Sequence, residues 1–178
     1  MRMSPAREHQ KAELLKDIVY AANDGIVTTF AIVAGVKGGG LAVAAVVILG
    51  FANLFADGFS MAVSNYLGTE SEKEFLEAER LKEAKYEKPV RNSVVTFFAF
   101  VGAGLLPLIP FVSAWAGPNS FRYSLFFALA FLFTLGALRS VYTKRGWFVH
   151  GLEMLFLGGI AAGIAYIVGF AARGLGVS

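Results

Sequence analysis

Three carboxylates interrupt otherwise apolar stretches of this 178-residue sequence: Asp24, Asp57 and Glu153. An ionisable side chain in mid-bilayer costs roughly 2.5–3.5 kcal/mol on insertion scales and marks a candidate functional site. At helical spacing Tyr20, Asp24 and Thr28 share a face, with Asn23 beside it. Asn53, Asp57, Met61 and Asn65 also recur every four residues, with Ser60 and Ser64 alongside. Two neighbouring segments thus each carry a polar stripe, which must face the other stripe, a partner subunit or water, never lipid. The amides and hydroxyls alone read as interhelical hydrogen-bond glue. The aspartates add charge, and an amide would make the same glue without the desolvation penalty. Met61 lies one turn from Asp57; a methionine in an apolar helix packs, but a thioether among carboxylates suits a transition metal better than Mg²⁺ or Ca²⁺. The candidate metal residues are therefore Asp24, Asp57 and Met61, with Asn23 and Asn53 on the same stripes. Glu153 sits near a membrane interface, where snorkelling or a link to Arg145 competes with a functional role.

The elements that must position these groups are membrane helices. The chain is 56% hydrophobic and only 16% charged. Five apolar segments, roughly 18–36, 41–67, 93–115, 121–141 and 148–171, are each long enough to cross a hydrocarbon core of about 30 Å. The glycine turn in "VKGGG" makes the first two a hairpin. The charged stretch "GTESEKEFLEAERLKEAKYEKPVRN" separates the second and third, "AGPNSFR" the third and fourth, and "RSVYTKRGW" the last pair. The sequence therefore predicts an all-α membrane protein of five transmembrane helices with the N-terminus kept. It divides into a cytoplasmic segment 1–17, spans one and two in 18–67, an acidic linker 68–92, spans three to five in 93–172 and a tail 173–178. Of the 16 Lys and Arg, only Lys37, Arg122 and Arg173 fall on the side opposite the N-terminus, so that tail and residues 68–91 are expected to be cytoplasmic and the C-terminus outside.

Residues 68–91 contain neither Gly nor Pro between Gly68 and Pro89, and are expected to extend the second helix into the cytoplasm. Glu70–Lys73, Glu77–Arg80 and Glu79–Lys82 are spaced as i,i+3 pairs of a solvated helix. The alternative is a metal-gathering surface using Glu72, Glu79 and Glu83. Gly159 and Gly163 form a GxxxG that predicts close packing in span five, and Pro107 and Pro110 should kink span three. Zero cysteines exclude thiolate metal sites, iron–sulfur clusters and disulfides. "VKGGGLAV" lacks the Gly-Lys-Ser/Thr of a phosphate loop, and neither His9 nor His150 sits in a nucleophile–base pattern. No enzyme, resident cofactor or nucleic-acid partner is expected.

"DIVYAANDGIVTTFAIVAGV", "GFANLFADGFSMAVSNYLGTESE", "LLPLIPF" and "GGIAAGIAYIVG" together resemble the vacuolar iron transporter family, in family order and over nearly the whole chain. The resemblance implies five helices, a cytoplasmic N-terminus and a homodimer whose metal path follows the subunit interface. It implies transport of Fe²⁺, often also Mn²⁺, out of the cytoplasm in exchange for protons. Asp24 matches the family's mid-membrane aspartate of the Asn-Asp-Gly motif, and Met61 the methionine of its Ser-Met motif. Asn53 stands where better-known members place a glutamate, and Asn65 departs from a frequent glutamate. The cytoplasmic insert of about 25 residues is far shorter than the metal-binding domain of those members, so the chain resembles a short, insert-poor subgroup. A metal-binding or structural membrane subunit without transport is the alternative function.

Overall fold

The computed structural model describes residues 5–81, 84–85, 87–113, 117–143 and 146–176, and every regular element in them is helical. The helices are α1 (Pro5–Gly39), α2 (Val43–Ala78), α3 (Pro89–Gly104), α4 (Ile109–Val112), α5 (Ser120–Thr143) and α6 (Trp147–Gly174), with a 3₁₀ turn at Gly117–Asn119. Among the described residues, four stretches are long and apolar enough to cross a membrane: Gln10–Gly39, Val43–Ala78, Gly117–Ser140 and Trp147–Gly174. The third expected span is not one rod. After the 16 residues of α3 the chain turns through Leu105–Leu108, and the four-residue α4 carries Pro110. Pro107 and Pro110 lack the N–H groups that would continue the helical ladder, which is why the expected kink is a break. Alone, α3 spans roughly 24 Å at 1.5 Å per residue.

α1 is the hub. It packs most extensively on α6 and α3, with further contacts to α2 and α5. Ala21, Ile26, Phe30 and Val33 on α1, Leu54 on α2, Phe100 on α3 and Leu132 on α5 form the centre of the core. α1 and α3 approach closely because Gly25 has no side chain: a Cβ there would collide with the Phe100 carbonyl oxygen and come within 3.1 Å of its carbon. Gly104 closes the same seam from the other side, where a Cβ would sit 2.7 Å from the Gly25 oxygen. Lys37, in the last turn of α1, lies 5.7 Å from the centre of the Phe121 ring on α5, within cation–π range.

The helix ends show why some boundaries differ from expectation. α1 begins at Pro5, so residues 5–17, expected as a separate tail, belong to the same helix as the first span. It ends at the glycine turn, where Gly40 takes φ 70° and Leu41 N–H donates back to the Val36 carbonyl at 3.1 Å. α2 is unbroken through Gly68 and leaves the apolar zone as expected, but stops at Ala78 rather than reaching residue 91. Arg80 adopts φ 56°, Leu81 N–H donates to Leu76 O at 2.8 Å and Arg80 N–H to Glu77 O at 3.0 Å. That is a Schellman closure with arginine in the left-handed position usually held by glycine. Of the expected charge pairs, Lys73–Glu70 forms at 3.4 Å, and Lys73 also reaches Glu77 at 4.0 Å. Lys82 and Glu83 lie outside the described residues. Gly159 and Gly163 have nothing within 4 Å of a built Cβ, so the GxxxG face is unused inside the chain. The small residue that packs there instead is Gly158, against Leu132 and Val27.

Candidate metal path

The two stripes lie along the seam between α1 and α2. Asp24 is half-buried, and the Asp57 carboxylate is within electrostatic range of it. Asp57 itself is exposed, while Asn53, Met61 and Asn65 are half-buried. Met61 packs against the core on one side. On the other it lines a cavity of about 360 Å³ with Asp17 and Tyr20 of α1, Ser64 and Asn65 of α2, and Thr96 of α3. Asn65 Nδ2 donates to Asp17 Oδ2 at 3.0 Å and ties the two helices together. The Thr28 hydroxyl is committed to its own helix, donating to the Asp24 carbonyl at 2.8 Å. Three buried side-chain atoms along this seam have no hydrogen-bond partner among the described residues: Asn53 Nδ2, Asn65 Oδ1 and Thr96 Oγ1.

A second cavity, of about 300 Å³, adjoins the first and shares Lys16, Asp17 and Asn65 with it. Its mouth holds Glu13 of α1 and Glu72 of α2. Carboxylate oxygens of Glu13, Glu72 and Glu87 all lie within 4.8 Å of one another, a spacing at which three acids could grip one divalent ion. Glu72 was expected there; its companions were not. Glu79 is instead the exposed C-cap of α2, and Glu83 is outside the described residues.

Glu13 and Asp17 were missed because the N-terminal segment reads as a polar tail. Their signal was present nonetheless. Glu13, Asp17, Tyr20, Asp24 and Thr28 step along α1 by four, three, four and four, and so share one face. Asn23 turns the other way and lines a groove against α6 with Glu153 and Met154. The expected link of Glu153 to Arg145 falls outside the described residues. Glu153 Oε2 sits 3.1 Å from His150 Nδ1 and 3.8 Å from Arg139 Nη1.

The seam therefore presents, in order, three carboxylates, a carboxylate–amide pair, a thioether and two further carboxylates. A family model described as the VIT family matches residues 15–86 and 80–170. The chain belongs to the VIT family. It is 26% identical to the vacuolar iron transporter of Toxoplasma gondii (strain ATCC 50861 / VEG), over 89% of this chain and 74% of that relative. It is equally 26% identical to the vacuolar iron transporter of Plasmodium berghei (strain Anka), over 87% of this chain and 81% of the relative. A shorter match, 41% identical over 69 residues, links it to the vacuolar iron transporter of Plasmodium falciparum (isolate 3D7). VIT-family membership bears out the resemblance carried by the Asn-Asp-Gly and Ser-Met stretches, and with the four apolar helices makes this a multi-pass integral membrane protein.

Proposed function

We propose that this VIT-family chain moves a divalent transition metal, Fe²⁺ or Mn²⁺, from the cytoplasm across the membrane in exchange for protons. The observation that carries the reading is the run of oxygen and sulfur donors along the α1–α2 seam, through two adjoining cavities to Asp24 and Asp57. Hydrogen-bond glue needs no such charge in a low-dielectric zone. Relatives named vacuolar iron transporter support the metal. Asp24 is the carboxylate ligand that neutralises the ion, Met61 the soft ligand, and Asp57 a second ligand or the proton carrier. The metal is cargo, so the protein is a carrier and not an enzyme.

The working unit is a homodimer. Asp57 and Tyr20 are exposed on the flank of a membrane helix pair, and Tyr20 is 65% accessible; such a face has no stable place against lipid. A second copy across a twofold axis would enclose the path. α3 and α4 together supply the fifth crossing, and the Lys/Arg distribution sets the N-terminus in the cytoplasm.

The test is metal flux in proteoliposomes for Fe²⁺, Mn²⁺, Co²⁺ and Zn²⁺ under an imposed pH gradient. Asp24→Asn keeps shape but cannot neutralise the ion, and should abolish flux of every metal while the protein still inserts. Met61→Leu conserves volume and should shift preference from Fe²⁺ towards harder Mn²⁺. Wild-type flux in Asp24→Asn would return both stripes to helix glue. Metal binding without flux in the unaltered protein would make it a binding subunit.

A further inference from the structure

Beside the acid-lined seam, and sharing Lys16 and Tyr20 with its cavities, lies a groove of about 490 Å³, walled by α1, the end of α5 and the start of α6. That volume falls within the range of about 300–1,000 Å³ typical of small-molecule sites. Its floor is apolar, formed by Leu15 and Val19 on α1 and Met154 and Leu157 on α6. Its charged groups are Lys16, Arg139 and Glu153. Glu153 is already engaged by Arg139 at 3.8 Å and His150 at 3.1 Å, so the surplus charge at this rim is positive. The sequence reinforces that sign: residues 139–150 contain Arg139, Lys144 and Arg145 and no Asp or Glu.

The depth of the groove is set by aromatic side chains. Trp147 and Phe148 open α6, are 59% and 56% exposed, and pack edge-on with each other and with Phe133. Exposed aromatics at the end of an apolar helix sit at the headgroup level of a bilayer. Glu153 and Leu157 are six and ten residues further along α6, roughly 9 and 15 Å deeper. Met154 and Leu157 therefore lie at acyl-chain depth, with Arg139, which reaches Glu153, on the headgroup side of them.

We propose that this groove is a binding site for an anionic phospholipid of the leaflet facing the N-terminal segment. One acyl chain lies along Leu15, Val19, Met154 and Leu157, and the phosphate is held between Lys16 and Arg139. Neither feature alone selects this occupant: an apolar trough accepts any lipid chain, and two bases accept any phosphate. Together they require a molecule with both. The site flanks the helix that carries Asp24 and reaches Asn23, one residue before it, but uses none of the proposed metal ligands on the seam face.

The experiment uses the purified full-length protein, delipidated in detergent and titrated with phosphatidylglycerol or phosphatidylcholine of matched chains, with bound lipid counted by native mass spectrometry. With Arg139 balanced by Glu153, the one surplus base, at the strength of a Lys or Arg near an anionic surface, favours phosphatidylglycerol by about fivefold. Lys16→Gln should remove that preference, and Lys16→Gln with Arg139→Gln, which takes the Arg139 partner from Glu153, should reverse it. Leu157→Trp leaves every charge in place but fills the trough, and should expel both lipids; it decides the matter if loss of the Arg139–Glu153 pair impairs folding. Glycerol phosphate, a headgroup without chains, should not compete. Equal retention of the two lipids, or undiminished phosphatidylglycerol binding by Leu157→Trp, overturns the proposal. Competition by glycerol phosphate would make this a free-phosphate site, and a Val19→Cys crosslink between two copies without retained lipid would make it a subunit contact; either also overturns it.

Discussion

Gly25→Ala isolates the contact that places Asp24. The added Cβ meets backbone on α3, the carbonyl of Phe100, with the carbonyl carbon 3.1 Å away and the Cα 3.2 Å away. No rotamer relieves a backbone clash, so α1 and α3 must separate by roughly an ångström, an overpacking that costs about 1–3 kcal/mol. Against this stands the helical preference of alanine over glycine, about 1 kcal/mol. The net expectation is a loss of up to about 2 kcal/mol. Gly102→Ala is the internal control: it lies on α3, two residues from Phe100, with nothing within 4 Å of its Cβ, and should stabilise by about 0.5–1 kcal/mol. Reversible unfolding in mixed micelles with increasing dodecyl sulfate measures both. Because Asp24 adjoins Gly25, the same shift should cut metal flux more than tenfold in Gly25→Ala and leave Gly102→Ala near wild type. Equal stability of the two variants would refute the close approach of α1 and α3, and with it the claim that this seam fixes Asp24.

Three further outcomes are expected. Ser124 is fully buried on α5 and its hydroxyl has no partner among the described residues, so Ser124→Ala should stabilise by about 1 kcal/mol in the same assay. Glu13→Gln, Glu72→Gln and Glu87→Gln combined should raise the half-saturating metal concentration with little change in maximal rate, whereas Glu79→Gln should do nothing; an effect of Glu79→Gln equal to the triple change would refute the cluster as the entry point. Single cysteines at Ser71 and Ser178, in a chain without others, should react with an impermeant maleimide from opposite faces, and labelling from one face would sink the five-crossing topology.

Apolar length was the most legible property of the sequence. Segments 18–36, 121–141 and 148–171 each reappear inside one long helix, and 41–67 does so from Val43 on, because runs that long have no other way to satisfy their backbone in lipid. Pro107 and Pro110 announced trouble in span three, but not that the helix would stop at Gly104 and restart at Ile109. The end of α2 was hidden for a different reason. A stop at Ala78 depends on Arg80 accepting φ 56°, a conformation that composition alone never assigns to arginine. At the candidate site, Asp24, Asp57 and Met61 stood out because each is foreign to its surroundings. Glu13 and Asp17 were camouflaged by polar neighbours, and only the alternating steps of four and three running back from Asp24 betray them. Glu87 had no local signal, since the turn that carries it back to Glu72 is a tertiary event. Gly159 and Gly163 were over-read: a small-residue motif permits close packing without naming a partner.

α2 also has a mechanical consequence. It is a rigid rod of 36 residues, about 54 Å long. It bears on α3 at Gly58, where a Cβ would sit 3.1 Å from Val101 and 3.3 Å from Phe100. Glu72 lies fourteen residues beyond that fulcrum and Val43 fifteen before it, so the two arms are nearly equal, each a little over 20 Å. A see-saw of this shape has no gearing. Were α2 to tilt as a rigid body about that contact, a sideways pull on the Glu72 end would reappear undiminished and reversed at the Val43 end, while Asp57, one residue from the pivot, would scarcely move.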